Sequence, residues 1–151
     1  MIASSVLDLR WLARYDKAIP LPRLAYEPLD DAQGYFYSPQ RDVVALNGRE
    51  YDLARGLIVV DPVSADIGST LAHEWRHLWQ FHRGDQGRSV SWDVCEQGRS
   101  YRDAIVEFFR RTPAELDALL FEVRHAPNDS NLEWYEWIIK RNNRPRVEDK
   151  Q

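Results

Sequence analysis

Residues 70–79 read TLAHEWRHLW and contain the pattern H-E-x-x-H within a helical periodicity. Residues four apart lie one turn apart on the same face of a helix, so His73 and His77 can direct both imidazoles at one ion. Glu74 follows the first histidine and is placed to act as general base toward a metal-activated water. The pattern therefore predicts a metal site with Zn²⁺ as its ion, in a chain that has 4 histidines and 1 cysteine.

The remaining positions of this helix separate into two faces. At about 100° per residue, Thr70 and Phe81 fall on the side of the histidines. Leu71, Trp75 and Leu78 fall on the other side, where they can pack into a core. This separation favours a functional site over two histidines that happen to lie four apart on a charged surface.

A catalytic zinc ion typically has three protein ligands and one open position, so a third ligand is expected downstream of His77. His82 projects toward the core side of the helix and is a weaker candidate. The residues alone leave the choice open among His125 and the carboxylates of the predicted C-terminal helices, which are Glu96, Glu107, Glu115, Asp117 and Glu122.

The sequence of residues 115–122, ELDALLFE, resembles the second-helix motif of small gluzincin-type zinc metallopeptidases. That family includes minimal single-domain peptidases of phages and prophages, and peptidases that cleave phage-type repressors. Its motif opens with a glutamate, has a small residue three positions later and an aromatic residue near its end, as at Glu115, Ala118 and Phe121. The resemblance covers roughly residues 56–122 and implies that Glu115 is the third zinc ligand.

The chain departs from the family at Leu119, where an Asp or Asn often supports a zinc-binding histidine. We therefore expect this support from another residue, with Asp117 or Asp103 as candidates. Residues 112–115, TPAE, also form a capping-box sequence, in which Glu115 could serve only to cap its helix. In that case Glu122 or Glu107 would be the ligand.

The resemblance implies a zinc-dependent peptidase in which Glu74 takes a proton from the attacking water and passes it to the leaving amine. A tetrahedral intermediate also needs an oxyanion partner, for which Tyr101, His125 and Tyr135 are candidates. The alternative is a non-catalytic protein-binding module on a metallopeptidase scaffold, which the departure at Leu119 favours.

Several elements must position this helix. The turn signal Asn47-Gly48 separates two strand-like runs, and residues 56–60, GLIVV, form a short apolar run typical of a buried strand. Strands precede helices along the chain, so we predict an α+β fold with a small twisted sheet packed on the zinc-site helix and further helices C-terminal to it. We expect one domain over residues 1–141 and a polar tail over residues 142–151. The predicted strands are 23–29, 34–37, 42–46 and 56–60, and the predicted helices are 4–16, 64–83, 97–111, 112–125 and 131–140.

The composition limits the classes of partner. The 151 residues carry 20 Lys and Arg against 24 Asp and Glu, a net charge of −4, which argues against a large nucleic-acid-binding surface. No apolar run approaches the ~20 residues of a membrane span. We therefore expect a cytoplasmic monomer that acts on a peptide or protein substrate, with no nucleic-acid or membrane partner.

Overall fold

The computed structural model describes residues 7–63, 66–84 and 90–142. Within these ranges, five short strands precede most of the helices, so the predicted α+β class is confirmed. In chain order the elements are α1 (Leu9–Tyr15), β1 (Arg23–Tyr26), β2 (Gly34–Tyr37), β3 (Val43–Leu46), β4 (Arg49–Asp52), β5 (Leu57–Val60), α2 (Ile67–Arg83), α3 (Trp92–Glu96), α4 (Tyr101–Arg111), α5 (Pro113–His125) and α6 (Asp129–Asn142).

Most predicted elements agree with these bounds to within a few residues. The first helix is shorter at its start than predicted, because Asp8 is its N-cap and accepts a hydrogen bond from the backbone N–H of Trp11 at 3.0 Å. The predicted helix over 97–111 begins only at Tyr101, after the separate short helix α3. The predicted polar tail lies outside the described residues apart from Asn142, as do residues 4–6 of the first predicted helix and residues 64–65 of the predicted helix 64–83.

The strands form two sheets rather than the single sheet that the sequence predicted. One sheet has the order β1-β5-β2, with β1 parallel and β2 antiparallel to the central strand β5. The other is the β3-β4 hairpin, whose turn residues Asn47 and Gly48 have φ values of 51° and 81°. Both values lie in the left-handed region that Asn-Gly turns adopt, so the predicted turn is confirmed.

The central strand explains the continuous apolar run in the sequence. All four residues of β5 are buried, since both faces of the sheet are covered. Ile58 and Val60 belong to a core cluster with residues of α2, whereas Leu57 and Val59 pack on the side of the β3-β4 hairpin. A strand covered on both faces has no polar side to expose, which is why the run does not alternate.

Helix α2 packs against both the sheet and α5. Its ends are capped by Asp66, which accepts a hydrogen bond from the N–H of Ser69 at 3.0 Å, and by Gly84 at φ 71°. Trp75 is 1% exposed and stacks on Phe121 of α5, with 5.5 Å between ring centroids. This ring contact is part of the interface between α2 and α5. None of the helices in the described ranges is both long and apolar enough to cross a membrane.

Candidate metal centre

The structure brings His73, His77 and Glu115 together between α2 and α5. One carboxylate oxygen of Glu115 lies 3.0 Å from Nε2 of His73, and the other lies 2.8 Å from Nε2 of His77. One ligand atom from each residue lies within 4.8 Å of the others, so this cluster could hold a metal ion. Two imidazole nitrogens and one carboxylate oxygen are donors that divalent transition metals, zinc among them, accept in proteins.

Glu115 reaches the histidines from the first turn of α5. Pro113 occupies the start of this helix and Thr112 is its N-cap, but the hydroxyl of Thr112 makes no capping hydrogen bond. The capping box is therefore incomplete, and the interpretation of Glu115 as a cap alone is wrong, because both carboxylate oxygens contact the histidines instead. The partial positive charge of a helix N-terminus also favours a carboxylate at this position.

Each histidine is held through its other ring nitrogen. Nδ1 of His73 lies 3.0 Å from a carboxylate oxygen of Glu122, whose second oxygen accepts a hydrogen bond from the Asn131 amide at 2.8 Å. Nδ1 of His77 lies 3.0 Å from the side-chain oxygen of Gln80. With Nδ1–H donated to these acceptors, Nε2 of each ring faces Glu115, and loss of the Nε2 proton would leave a lone pair there for a metal ion.

The orientation of the Gln80 amide is fixed by its surroundings. Gln80 is 2% exposed, and its Nε2 donates hydrogen bonds of 2.8 Å both to the carbonyl of Ala114 and to the carboxylate of Asp117. Asp117 also accepts a hydrogen bond from Nε of Arg76 at 2.7 Å. Since the amide nitrogen is used in this way, the amide oxygen is the atom that faces His77.

Glu122 takes the supporting role that the sequence assigned to other residues. Residues seven apart lie two turns apart on one helix face, so Glu122 and Glu115 both face α2. Of the two residues expected to support a histidine, Asp117 acts on His77 only through Gln80, from which it accepts a hydrogen bond, and Asp103 lies 3.7 Å from Arg141 instead. The seven-residue spacing between the two glutamates is a feature of the sequence from which this pairing could have been proposed.

The close contacts shift the acid–base behaviour of the cluster in the metal-free chain. Burial raises the pKa of Glu115, but hydrogen bonds from His73 and His77 outweigh burial, and the pKa lies far below its usual value. Burial lowers the pKa of His73, yet its contacts with Glu115 and Glu122 outweigh this effect and raise the pKa well above 6.5. The pKa of His77 is raised in the same way, chiefly by Glu115. Protons and a metal ion therefore compete for these histidines.

Glu74 lies beside the cluster, under strand β2. Burial raises the pKa of its carboxyl, and the neighbouring histidines only partly oppose this shift. At Gly34, an added Cβ would lie 2.4 Å from Cγ2 of Thr70 and 3.2 Å from a carboxylate oxygen of Glu74. Only glycine lets the strand approach the helix this closely. Gly34 was not among the residues predicted to belong to the site, although a glycine in a strand often marks such an approach.

The cluster opens into a cavity of about 540 Å³. Its walls include Tyr35, Phe36 and Ser38 on or next to β2, together with Gln80 and the cluster itself. The ring of Phe36 lies nearly parallel to that of His77, with 6.3 Å between centroids. A ligand in this cavity would therefore lie between β2 and the first turn of α5, next to all three possible metal ligands.

The other candidates for the third ligand lie in different surroundings. Glu107 pairs with Arg110, Arg111 and Arg99, the last at 3.3 Å. Burial raises the pKa of Glu107, but Arg110 and Arg111 outweigh burial and hold the pKa below its usual value. Glu96 accepts a hydrogen bond from the indole N–H of Trp92 at 3.0 Å. Neither carboxylate belongs to the three-residue cluster found among the described residues.

The remaining histidines also lie elsewhere. His82 is exposed, near the C-terminus of α2, with its ring 5.4 Å from that of Phe81. His125 packs between the rings of Trp11 and Phe121, at centroid distances of 5.0 and 4.6 Å. Burial lowers the pKa of His125, and Arg124 adds to this effect. Packing with aromatic rings, rather than metal binding, accounts for His125.

None of the three candidate oxyanion partners lines the cavity that holds the cluster. His125 lies in its aromatic cluster, and Tyr135 is half-buried on α6. Tyr101 is 69% exposed and lines a neighbouring, larger cavity instead. The prediction of an oxyanion partner from this set therefore has no support in the geometry of the metal cavity.

A comparison with protein-family models finds no family that matches this chain, and comparisons with curated proteins and with solved structures likewise find no match. The geometry of the site and its chemistry therefore carry the functional argument.

Proposed function

We propose that the chain is a zinc-dependent peptidase with His73, His77 and Glu115 as metal ligands and Glu74 as general base. One observation carries this proposal: both histidines are oriented through Nδ1 so that their Nε2 atoms meet the same carboxylate. Two surface histidines with no metal function do not require a dedicated acceptor for each ring. A Zn²⁺ ion held there would supply a Lewis acid able to activate water at neutral pH and to polarise a carbonyl oxygen.

Glu74 performs the proton transfer in this proposal. Its carboxylate takes a proton from the water that attacks the peptide carbonyl, and then gives the proton to the leaving amine. Burial supports this role because it raises the pKa of the carboxyl, which makes Glu74 a better proton acceptor than an exposed glutamate. The carboxylate also lies close to the backbone at Gly34, between β2 and the histidines.

Strand β2 supports a peptide as the substrate rather than a small ester or amide. In its sheet, β2 pairs with β5 and is the last strand on that side. Its residues Tyr35 and Phe36 line the metal cavity. An extended peptide can add to such an edge as a further strand, which would place its backbone along the metal ligands.

The binding-module alternative rested on Leu119, which left one histidine without its usual support. Glu122 contacts His73 at 3.0 Å and can supply that support. The feature that favoured a non-catalytic module is thereby accounted for, and we retain the peptidase as the single proposal.

The first test is metal analysis of protein purified without added zinc. We expect about one zinc ion per chain, and loss of that ion in both His73→Ala and His77→Ala. The matched control for these variants is His82→Ala, since His82 is exposed on the same helix. The control for the glutamate variants below is Glu136→Gln, since Glu136 is exposed on α6 and pairs with Lys140 at 2.9 Å. Protein that binds no metal under any condition would contradict the proposal.

The second test is hydrolysis of an unfolded protein or a mixed peptide library, followed by mass spectrometry. Glu74→Gln should keep its zinc and lose activity by about 10²–10⁴-fold, because the amide cannot accept the proton. Glu136→Gln should cleave like the wild type. Full turnover by Glu74→Gln, from a preparation free of contaminating protease, would refute the assigned role of Glu74.

A further inference from the structure

A second and larger cavity, of about 910 Å³, lies next to the candidate metal centre. It is bounded by α4, by the start of α2 and by residues of α5 and α6. His73 and Phe108 line both cavities, so the two spaces meet at the metal cluster. A residue of a peptide bound at the metal could therefore extend its side chain into this second space.

The walls of the larger cavity are rich in aromatic rings. Trp92, Phe108, Phe109 and Trp134 all line it. The ring of Trp92 meets that of Phe108 edge to face, with 5.9 Å between centroids. Such walls bind the apolar stem of a long side chain, and their ring faces attract a cation.

The charges on the described lining residues are almost all negative. Asp31, before β2, and Asp66, the N-cap of α2, are exposed, whereas the Glu122 side chain is 13% exposed and has both oxygens engaged by His73 and Asn131. Within the described ranges, neither lysine nor arginine lines this cavity. The cation Arg102 lies over the ring of Trp134 at 5.7 Å but is itself 59% exposed and pairs with Glu133.

We infer that this cavity binds a long basic side chain, arginine above all, of the peptide substrate. The inference rests on the proposed peptidase function and adds a substrate class to it. An acidic side chain would be repelled by the two aspartates, and an aliphatic one would cover them without supplying a counter-charge. Arginine combines an apolar stem, a planar group that stacks on aromatic rings and a permanent charge for Asp31 and Asp66.

The test compares two alanine-based hexapeptides that differ at one position, which is either arginine or its neutral near-isostere citrulline. Binding is measured by calorimetry on zinc-loaded Glu74→Gln, in which turnover is suppressed. We expect the arginine peptide to bind about tenfold more tightly than the citrulline peptide. Equal binding of the two peptides would overturn the inference.

Variants in the same background identify the carboxylates responsible. The pair Asp31→Asn and Asp66→Asn should reduce the preference for arginine to about twofold or less. Asparagine also caps helices, so α2 keeps its N-cap in this variant. The control Glu50→Gln removes the same kind of charge from an exposed position on β4 and should leave the preference unchanged.

Failure of the arginine-binding inference and failure of the peptidase proposal give different results. A preference that survives in the Asp31→Asn and Asp66→Asn protein would contradict the role of this cavity. Should the double variant unfold, the preference for the arginine peptide is measured on Asp31→Asn alone, because Asp31 is exposed outside the helices and strands. Wild-type protein that hydrolyses no peptide would refute the peptidase proposal, whereas the affinity comparison does not depend on turnover.

Discussion

The contact between Glu122 and His73 gives the sharpest quantitative prediction. Substitution Glu122→Gln preserves the shape of the side chain but leaves only one acceptor oxygen. The native carboxylate serves two donors, Nδ1–H of His73 at 3.0 Å and the amide of Asn131 at 2.8 Å. In the variant, one of these donors must face the new NH₂ group, and both side chains of the His73–Glu122 pair are less than 20% exposed, at 16% and 13%.

The size of the effect follows from this loss. A hydrogen bond to a charged group contributes about 1.5–3 kcal/mol in proteins. At about 1.4 kcal/mol for each factor of ten, this corresponds to a zinc affinity roughly 10–100-fold weaker than in the wild type. The imidazole loses the acceptor that holds its Nε2 toward the metal. The free energy of zinc binding should therefore fall by more than the free energy of unfolding of the metal-free protein.

Competition against a chromophoric zinc chelator measures this affinity, and urea unfolding of the metal-free protein measures the stability separately. Glu136→Gln, which makes the same chemical change on the exposed face of α6, should bind zinc like the wild type. An affinity of Glu122→Gln within about twofold of the wild type would refute the supporting role. Complete loss of zinc in this variant, with zinc retained in Glu115→Gln, would show that Glu122 is the ligand.

Three further predictions concern the packing and charge around the cluster. Gly34→Ala should lower the free energy of unfolding by about 1–3 kcal/mol, because its Cβ would meet Cγ2 of Thr70, and Thr70→Ser should restore part of that loss in urea titrations. Thr112→Val should leave the free energy of unfolding unchanged or raise it by about 1 kcal/mol, since the buried hydroxyl of Thr112 has no hydrogen-bond partner among the described residues. A clear decrease in the free energy of unfolding would contradict this account. In the metal-free protein, the cluster should stabilise the fold most between pH 4.5 and 6.5, the usual pKa values of its carboxyl and its histidines. Below pH 4.5 this contribution declines, because the pKa of Glu115 is lowered in the native state and the unfolded chain takes up a proton first. Above pH 6.5 it declines again, because the pKa values of the histidines are raised in the native state and the unfolded chain loses its protons first. Unfolding measured across pH should show this maximum, and Glu115→Gln should flatten it.

Much of the local structure could be predicted from the sequence because its causes are local. The helical spacing of His73 and His77 places both on one face whatever packs around them. The Asn47-Gly48 turn and the strand at 57–60 follow from backbone preferences and from a continuous apolar run. The α+β class follows from the order of these elements along the chain.

The roles of individual polar side chains depended on tertiary structure. The sequence offered a capping box at Thr112 and several carboxylates on the C-terminal helices, and helical spacing alone did not determine which of them meets the histidines. The packing of Trp75 on Phe121 sets the face of α5 that meets α2, and this face carries both Glu115 and Glu122. A ligand and its supporting acceptor are thus selected by how two helices contact each other.

The same distinction holds for the surroundings of the cluster. The pattern H-E-x-x-H determined which residues could meet an ion, since residues four apart always share a helix face. That Gln80 orients His77, and that β2 passes over Glu74 at Gly34, depends on contacts between elements far apart in the chain. Spacing within one helix is fixed by the backbone alone, whereas the partners of a buried polar group are fixed only when separate elements pack and exclude water.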